Sequence, residues 1–224
     1  MRLSIVVPAL DEAAGIAAAL AALAPLREQG AEVVVADGGS SDATAAIARP
    51  LCDRVIVAPR GRALQMNAGA AAARGDVLLF LHADTRLPGN AAEAIGRATR
   101  AGGFAWGRFD VVLDSPRPML KVVARMMNLR SRATGIATGD QGMFMTRAAF
   151  AAAGGFAPIA LMEDIAMSHT LKRLARPACL RERVLTSARR WETRGVWRTI
   201  ALMWYLRLAY ALGADPAALA RRYR

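Results

Sequence analysis

Residues 77–85 read VLLFLHADT. An aliphatic and aromatic run from Val77 to Leu81 has the character of a strand buried on both faces, and it delivers His82 and Asp84 together at its end. A buried strand has no structural need to finish on an imidazole and a carboxylate, so this strand end reads as a site. Working outward, residues 2–7, 32–36 and 54–58 are further short aliphatic runs, separated from 76–81 and from one another by Ala-rich stretches long enough for helices. Strands alternating with helices at this spacing predict an α/β protein, with a mostly parallel central sheet flanked by helices on both faces.

The expected helices of the first half are 12–23, 42–48, 62–74 and 89–101, with Gly75 and Gly102 as stop signals. In the second half, 104–113 and 178–187 read as strands, and 117–132, 147–153, 163–175 and 196–212 as helices. Gly-containing loops at 135–142 and 154–155 join them. No repeat or low-complexity linker separates the halves, so residues 1–224 are read as one domain, with a nucleotide-type half at 1–103 and a second half at 104–224.

The chain carries 30 Lys and Arg against 18 Asp and Glu, a formal net charge of +12, which favours an anionic partner. Cys52 and Cys179 lie far apart, with neither disulfide-framework nor zinc spacing. The N-terminal run MRLSIVVPAL turns polar at Asp11, too short for a signal-peptide core, so a cytoplasmic protein, neither secreted nor cleaved, is expected.

In open α/β sheets ligands collect at the carboxyl ends of strands. There the first strand gives Pro8, Asp11 and Glu12, the second gives Asp37 to Asp42, and the fourth gives His82 and Asp84. Asp42 fits a helix cap; Asp37 and Asp84 terminate strands and are read as functional. Neither GxGxxG nor GxxxxGK[ST] is present, so a nucleotide here would be held by side chains and a metal. Asp84 is the expected ligand of Mg²⁺ or Mn²⁺, a hard cation that could bridge two phosphates.

The ordered set VVPALDEA, VVADGGSSDAT, RGRALQMNAGAAAARGDVLLFLHADT, GDQ (139–141) and LMEDI (161–165) resembles family 2 glycosyltransferases of GT-A fold. With WGRFDV, MNLRSRATGIATGDQ and TSARRWE, it resembles more narrowly the radical-SAM/selenodomain-associated transferase 2 subgroup. The resemblance implies an inverting transfer of a sugar from a nucleoside-diphosphate sugar, a UDP-sugar first, to an unidentified hydroxyl acceptor.

By that resemblance Pro8, Glu12 and Asp37 contact the nucleoside, while Arg62, Gln65 and Asn67 line the nucleotide pocket. His82-Ala83-Asp84 stands in the place of the family's DxD, with His at its first position, leaving Asp84 as the metal ligand. Asp164, with Glu163 second, takes the role of catalytic base; the plain alternative is acidic residues complementing a helix N-terminus. Asp140 and Gln141 face sugar or acceptor, and Arg189, Arg190 and Trp191 the acceptor and diphosphate.

Lys121, Arg125, Asn128 and Arg132 recur as one polar helix face, with Val122, Val123, Met126, Met127 and Leu129 filling the rest. Such a helix could meet an anionic lipid surface at the inner face of the membrane. The apolar segment 196–212 is short of a spanning helix, carries Arg198 and Arg207 on opposite faces, and could serve a homodimer or a membrane contact. Three other readings stay open. A sugar nucleotidyltransferase would want a Gly-rich basic loop after the first strand. A nucleic-acid or anionic-membrane binding module would explain the +12 charge but leaves the strand-end carboxylates unexplained, and the leading reading expects no nucleic acid as partner. A catalytically silent nucleotide binder is the third.

Overall fold

The computed structural model describes residues 1–223. The chain runs β1 (Leu3–Ala9), α1 (Ile16–Ala21), α2 (Ala24–Glu28), β2 (Glu32–Asp37), α3 (Thr44–Ala48), β3 (Arg54–Val57), α4 (Arg62–Ala72), β4 (Val77–Phe80), β5 (Thr85–Arg86) and α5 (Ala91–Gly96). It continues as β6 (Trp106–Asp114), α6 (Pro118–Thr134), β7 (Met143–Thr146), α7 (Arg147–Ala152), α8 (Glu163–Leu174), β8 (Ala178–Ser187), α9 (Arg189–Arg194), α10 (Val196–Ala211) and α11 (Pro216–Tyr223).

One sheet with the order β3-β2-β1-β4-β7-β6-β8-β5 passes through both halves of the chain. The β1–β2, β2–β3, β1–β4 and β6–β8 pairs are parallel, whereas β7 inserts antiparallel between β4 and β6, and β5 pairs antiparallel with β8. Alternate residues of the central strands feed two cores. Ile5, Val7, Val33, Val35 and Leu79 pack on Ile16, Leu20 and Leu26 of one helical layer. Val6, Val34, Leu78 and Phe80 pack on Met66 and Ala70 of α4 and Met167 and Leu171 of α8 in the other. Burial on both faces is what the unbroken aliphatic runs required.

Several expectations need correction. The helix expected over 12–23 is two short helices: α1 stops at Ala21, and Pro25 sits in the first turn of α2, where its missing N–H costs no hydrogen bond. The helix expected over 89–101 is α-helical to Gly96 and then a π turn over Arg97–Ala101. Strands β5 and β7, and helices α9 and α11, were not foreseen; β7 is four residues long, too short for a periodicity to register.

The polar face expected on α6 is split. Lys121 and Arg125 are exposed, but Asn128 turns inward: its Oδ1 accepts from Val111 N at 2.8 Å and its Nδ2 donates to Val111 O at 3.0 Å. Strand β7 pairs with β6 only as far as Arg108, so Asn128 supplies the partners that a neighbouring strand would have given Val111. Arg132 reaches Asp110 at 2.7 Å. Conversely, Val122, Met126 and Leu129 are more than half exposed and do not face the core.

Candidate active site

The loops that follow β1 and β2 are bolted to each other by hydrogen bonds. Asp11, in a left-handed conformation with φ 54°, donates its N–H to Ser40 Oγ at 2.9 Å, and its Oδ1 accepts from Ser41 N at 2.7 Å. Glu12 N donates to Thr44 Oγ1 at 2.7 Å and Ala13 N to Asp42 Oδ2 at 3.0 Å. Asp37 is buried, and its carboxylate accepts from the N–H groups of Gly39 and Ser40 and from Ser40 Oγ. Gln65 at the start of α4 donates from Nε2 to Ala9 O at 2.7 Å and Ala36 O at 3.0 Å, tying α4 to the ends of β1 and β2. These bonds hold Glu12 at the cleft without using its carboxylate.

The β4 end is fixed differently. Ser187 N donates to Asp84 O at 3.2 Å, and Thr85 Oγ1 lies 2.9 Å from Thr186 Oγ1, so Asp84 is held against the end of β8, where Arg189 and Arg190 begin α9. A cleft of about 960 Å³ opens here, lined by Glu12, His82, Asp84, Arg62, Asp140 and Arg190 among others. Burial first, and then the negative charge of Asp84, raise the Glu12 carboxyl above its ordinary value. Asp84 itself is exposed and accepts only one weak bond, from Thr85 Oγ1 at 3.3 Å.

The far wall begins at α8. Met162, left-handed at φ 71°, turns the chain so that Glu163 and Asp164 enter the first helical turn beside the 139–141 turn. Buried Glu163 forms an ion pair with Arg62 at 3.1 Å. Burial raises the Glu163 carboxyl, with Arg62 opposing. Asp164 Oδ2 accepts from Gly139 N at 2.8 Å, which joins α8 to the turn carrying Asp140. His82 Nδ1 stands 3.5 Å from Asp140 Oδ1. Burial alone would raise Asp140; His82, Arg62 and Arg190 outweigh it and hold the carboxyl below its ordinary value. Gly139 is required here, because a Cβ would collide with the His82 ring.

Helix α11 closes this wall by placing Tyr223 at the cleft, with the Arg190 guanidinium 3.8 Å from its ring centroid and Arg190 Nη1 donating to Tyr223 O at 3.0 Å. Burial raises the Tyr223 phenol, and it feels the charges of Arg190, Asp140, Arg62 and Asp164, which places it among the polar groups of both α8 and the 139–141 turn.

The glycosyl transferase family 2 profile matches residues 4–153, two thirds of the chain. The chain belongs to glycosyl transferase family 2. No curated protein matches it significantly. Among solved structures it is similar to S. aureus TarS 1-349 in complex with UDP, at 18% identity and a TM-score of 0.70, covering 84% of this chain and 60% of that one. TarS 1-349 in complex with UDP-GlcNAc aligns at 18% identity and TM-score 0.66, covering 84% and 58%. Glucosyl-3-phosphoglycerate synthase from Mycobacterium tuberculosis, in complex with Mn²⁺, UDP and glucosyl-3-phosphoglycerate, aligns at 20% identity and TM-score 0.61, covering 83% and 70%. The chain spans about three fifths of the length of the TarS fragment, and these likenesses place it in the GT-A fold.

Within this family 2 chain the expected site residues divide. Pro8, Glu12, Arg62, Gln65, Asp84, Asp140, Arg190 and Trp191 all line the cleft. Asp37, Asn67, Gln141, Glu163 and Asp164 lie behind its lining. Asn67 exchanges two hydrogen bonds with the backbone of Phe156, at 2.8 and 2.9 Å. Gln141 is fully buried and closes a capping box with Thr138. Tyr223 and Arg60 line the cleft without having been singled out; nothing in the local sequence marks them, since only the return of α11 and the end of β3 bring them there.

Among the described residues no group of three His, Cys, Asp or Glu could hold a metal unaided. The donor set instead fits a hard cation that takes one or two carboxylates from protein and the rest from phosphate and water. Asp84 is exposed, and among the described residues its carboxylate accepts only one weak bond, from Thr85 Oγ1 at 3.3 Å, which leaves oxygens for such an ion. Also among the described residues, no helix is long and apolar enough to cross a membrane.

Proposed function

We propose that residues 1–224 act as a single-domain inverting glycosyltransferase that moves a sugar from a nucleoside-diphosphate sugar to a hydroxyl acceptor. One observation carries the reading: a single cleft is lined both by the strand-end carboxylates Glu12 and Asp84 and by the guanidinium groups of Arg62, Arg189 and Arg190. A carboxylate edge by itself would repel a diphosphate, whereas carboxylate plus divalent cation plus arginines would bind one. The UDP bound to TarS and to the mycobacterial synthase, the latter with Mn²⁺, supports UDP as the nucleotide and a divalent ion as its companion. Within the family, we place the chain in the radical-SAM/selenodomain-associated transferase 2 subgroup on its ordered motifs.

In this reading Asp84 holds the Mg²⁺ or Mn²⁺, which when bound offsets the charge of the leaving diphosphate. Arg62, Arg189 and Arg190 bind its oxygens. Asp164 removes the acceptor hydroxyl proton as the new glycosidic bond forms opposite the departing diphosphate. Its backbone bond from Gly139 fixes the carboxylate while leaving lone pairs available. Glu163 is held in its ion pair with Arg62 and positions that guanidinium. The exposed Trp197, Trp204 and Leu208 of α10 support contact with a membrane surface or a second copy of the chain; vesicle flotation and sedimentation velocity, both negative, would dismiss it.

The test is titration calorimetry with UDP, GDP, CDP, ADP and dTDP, each with and without Mn²⁺. Selective Mn²⁺-dependent binding that Asp84→Ala abolishes is the expected result. Equal, merely salt-sensitive binding of all five would transfer the case to a polyanion-binding module.

A further inference from the structure

Helix α10 is apolar on two faces, and the described residues cover only one of them. Its inner face buries Thr199 and Leu206, and Leu202, Met203 and Tyr210 gather with Leu206 in one cluster with Ile136, Ile165 and Leu219. Its outer face presents Trp197, Ala201, Trp204 and Leu208, whose helical spacing forms a single stripe. Trp197 is 71% exposed, Trp204 72% and Leu208 62%, and Leu212 carries the stripe past the helix end. A helix apolar all round is ordinarily buried all round, and a row of bare indoles and leucines marks a contact.

The edge of the stripe is cationic. The Val196–Ala211 helix contains Arg198 and Arg207 and no Asp or Glu. Arg198 is exposed and makes no hydrogen bond or ion pair among the described residues. Helix α6 shares an apolar cluster with Val196 and Ile200 at the start of α10; it too has no acidic residue, and it leaves Lys121 and Arg125 exposed. A groove of about 620 Å³ adjoins the stripe, lined by Arg194, Arg198, Thr199, Ala201, Leu202 and Tyr205. Arg194 and Thr199 also line the cleft that holds Glu12 and Asp84, and Ala201 belongs to the stripe. Stripe, groove and cleft therefore meet at the start of α10.

Two partners fit an uncovered apolar helix: a second copy of the chain, or a lipid surface. A two-fold contact through α10 would set Arg198 against the same basic helix of the other copy, with no carboxylate on α10 or α6 to answer it. An anionic bilayer answers both features at once, because indoles settle between headgroups and acyl chains while guanidinium groups pair with phosphate oxygens. We propose that α10 docks the protein on an anionic lipid bilayer, with the stripe of Trp197, Trp204 and Leu208 in the interface and Arg198 on headgroup phosphates at the groove. Docking stands without the glycosyltransferase reading; it rests on that reading only for its consequence, that a lipid-borne acceptor hydroxyl reaches the cleft through the groove.

The test is flotation of the full chain with vesicles of mixed phosphatidylglycerol and phosphatidylcholine, and of phosphatidylcholine alone. The proteins are wild type, the double variant Trp197→Ser with Trp204→Ser, and Arg198→Gln. These side chains are exposed, so thermal melts and Mn²⁺–UDP calorimetry should match wild type. Wild type should float with the anionic vesicles and not with phosphatidylcholine alone. The double variant should lose about tenfold or more in vesicle affinity and Arg198→Gln about threefold to fivefold. Brominated acyl chains should quench the wild-type fluorescence and leave the double variant bright, since it keeps only buried Trp106 and half-buried Trp191. Flotation that is absent, or that persists in the double variant, overturns the docking surface; persistence would mean diffuse attraction by the net charge. A dimer in sedimentation velocity that the double variant abolishes, with no vesicle binding, overturns it in favour of a second copy. Tryptophan-dependent vesicle binding by a chain that binds no UDP overturns the donor reading alone.

Discussion

The wall of the cleft built from β1 and β2 and the wall built from α6, α8 and α10 treat their charges in opposite ways. On the first, Asp11 and Asp42 accept hydrogen bonds from the neighbouring loop and Asp37 from its own turn, so three of its carboxylates take part in holding the frame. On the second, Arg130 has buried donors without partners, and Asp164 meets only backbone N–H groups. A satisfied polar network specifies a rigid geometry, while an unsatisfied one specifies a ligand. The difference teaches that the β1–β2 wall is held by hydrogen bonds within the protein, whereas the opposite wall keeps buried guanidinium donors at Arg130 that no protein group meets among the described residues.

The comparison breaks most visibly at Asp164. Asp164→Asn can keep only one of the hydrogen bonds from Gly139 N and Ile165 N, which reach different carboxylate oxygens, and it removes the basicity, so turnover of the sugar nucleotide that binds should fall by about 10² to 10⁴-fold. UDP affinity by calorimetry should stay within about twofold, since the general-base contribution belongs to the transition state rather than to donor binding. Undiminished turnover would remove Asp164 from the mechanism.

Next in size is the frame itself. Asp37→Ala strands the donors of Gly39 and Ser40 in a buried turn and should cost about 1–3 kcal/mol in urea unfolding. If stability is unchanged and only nucleotide binding suffers, Asp37 serves the ligand and not the turn.

A smaller effect sharpens the boundary between the walls. Glu12 has a folded-state pKa above its ordinary 4.5, so protons bind the folded state more tightly. The stability tied to that group is therefore fully present below the unfolded value and is lost as pH rises through the folded one. Asp84→Asn removes the second cause of the shift, so in metal-free buffer it should melt slightly higher than wild type near pH 7, with the gain vanishing below about pH 4.5. Thermal melts across pH 4 to 8 check this; a gain that persists at the acid end would mean another cause.

Smallest is the contact that seats α11. Tyr223→Leu loses the stacking of Arg190 and should cost about 0.5–1 kcal/mol. Faster proteolytic release of the 216–223 segment would report it, and an unchanged cleavage rate would show that the carbonyl bond to Arg190 suffices.

Much of this organisation was legible along the chain. The unbroken aliphatic runs fixed β1, β2 and β4 because parallel strands covered on both faces need no polar alternation. The rule that ligands gather at carboxyl strand ends directed attention to Glu12 and Asp84, which line one cleft. Other features were not legible. Strand β7 is short and takes its place by pairing with two partners that both lie more than 30 residues earlier in sequence. Asn128 looked like part of a solvated face because nothing local announces that β6 runs past the end of its neighbour.

By itself, then, the sequence determined the buried central strands β1, β2 and β4 and the acidic residues at their ends, since hydrophobic period and chain order are local properties. Only the tertiary structure decided how each charge is used. Asp37 and Asp84 both end strands, yet one is consumed by its own turn while the other is left open, because hydrogen-bond satisfaction depends on which loop folds back. Arg108 and Arg130 are both arginines that approach the protein interior, yet one donates to Ser131 and Asn128 while the other keeps Nε and Nη2 buried without a partner among the described residues, a difference only the packing around α6 decides.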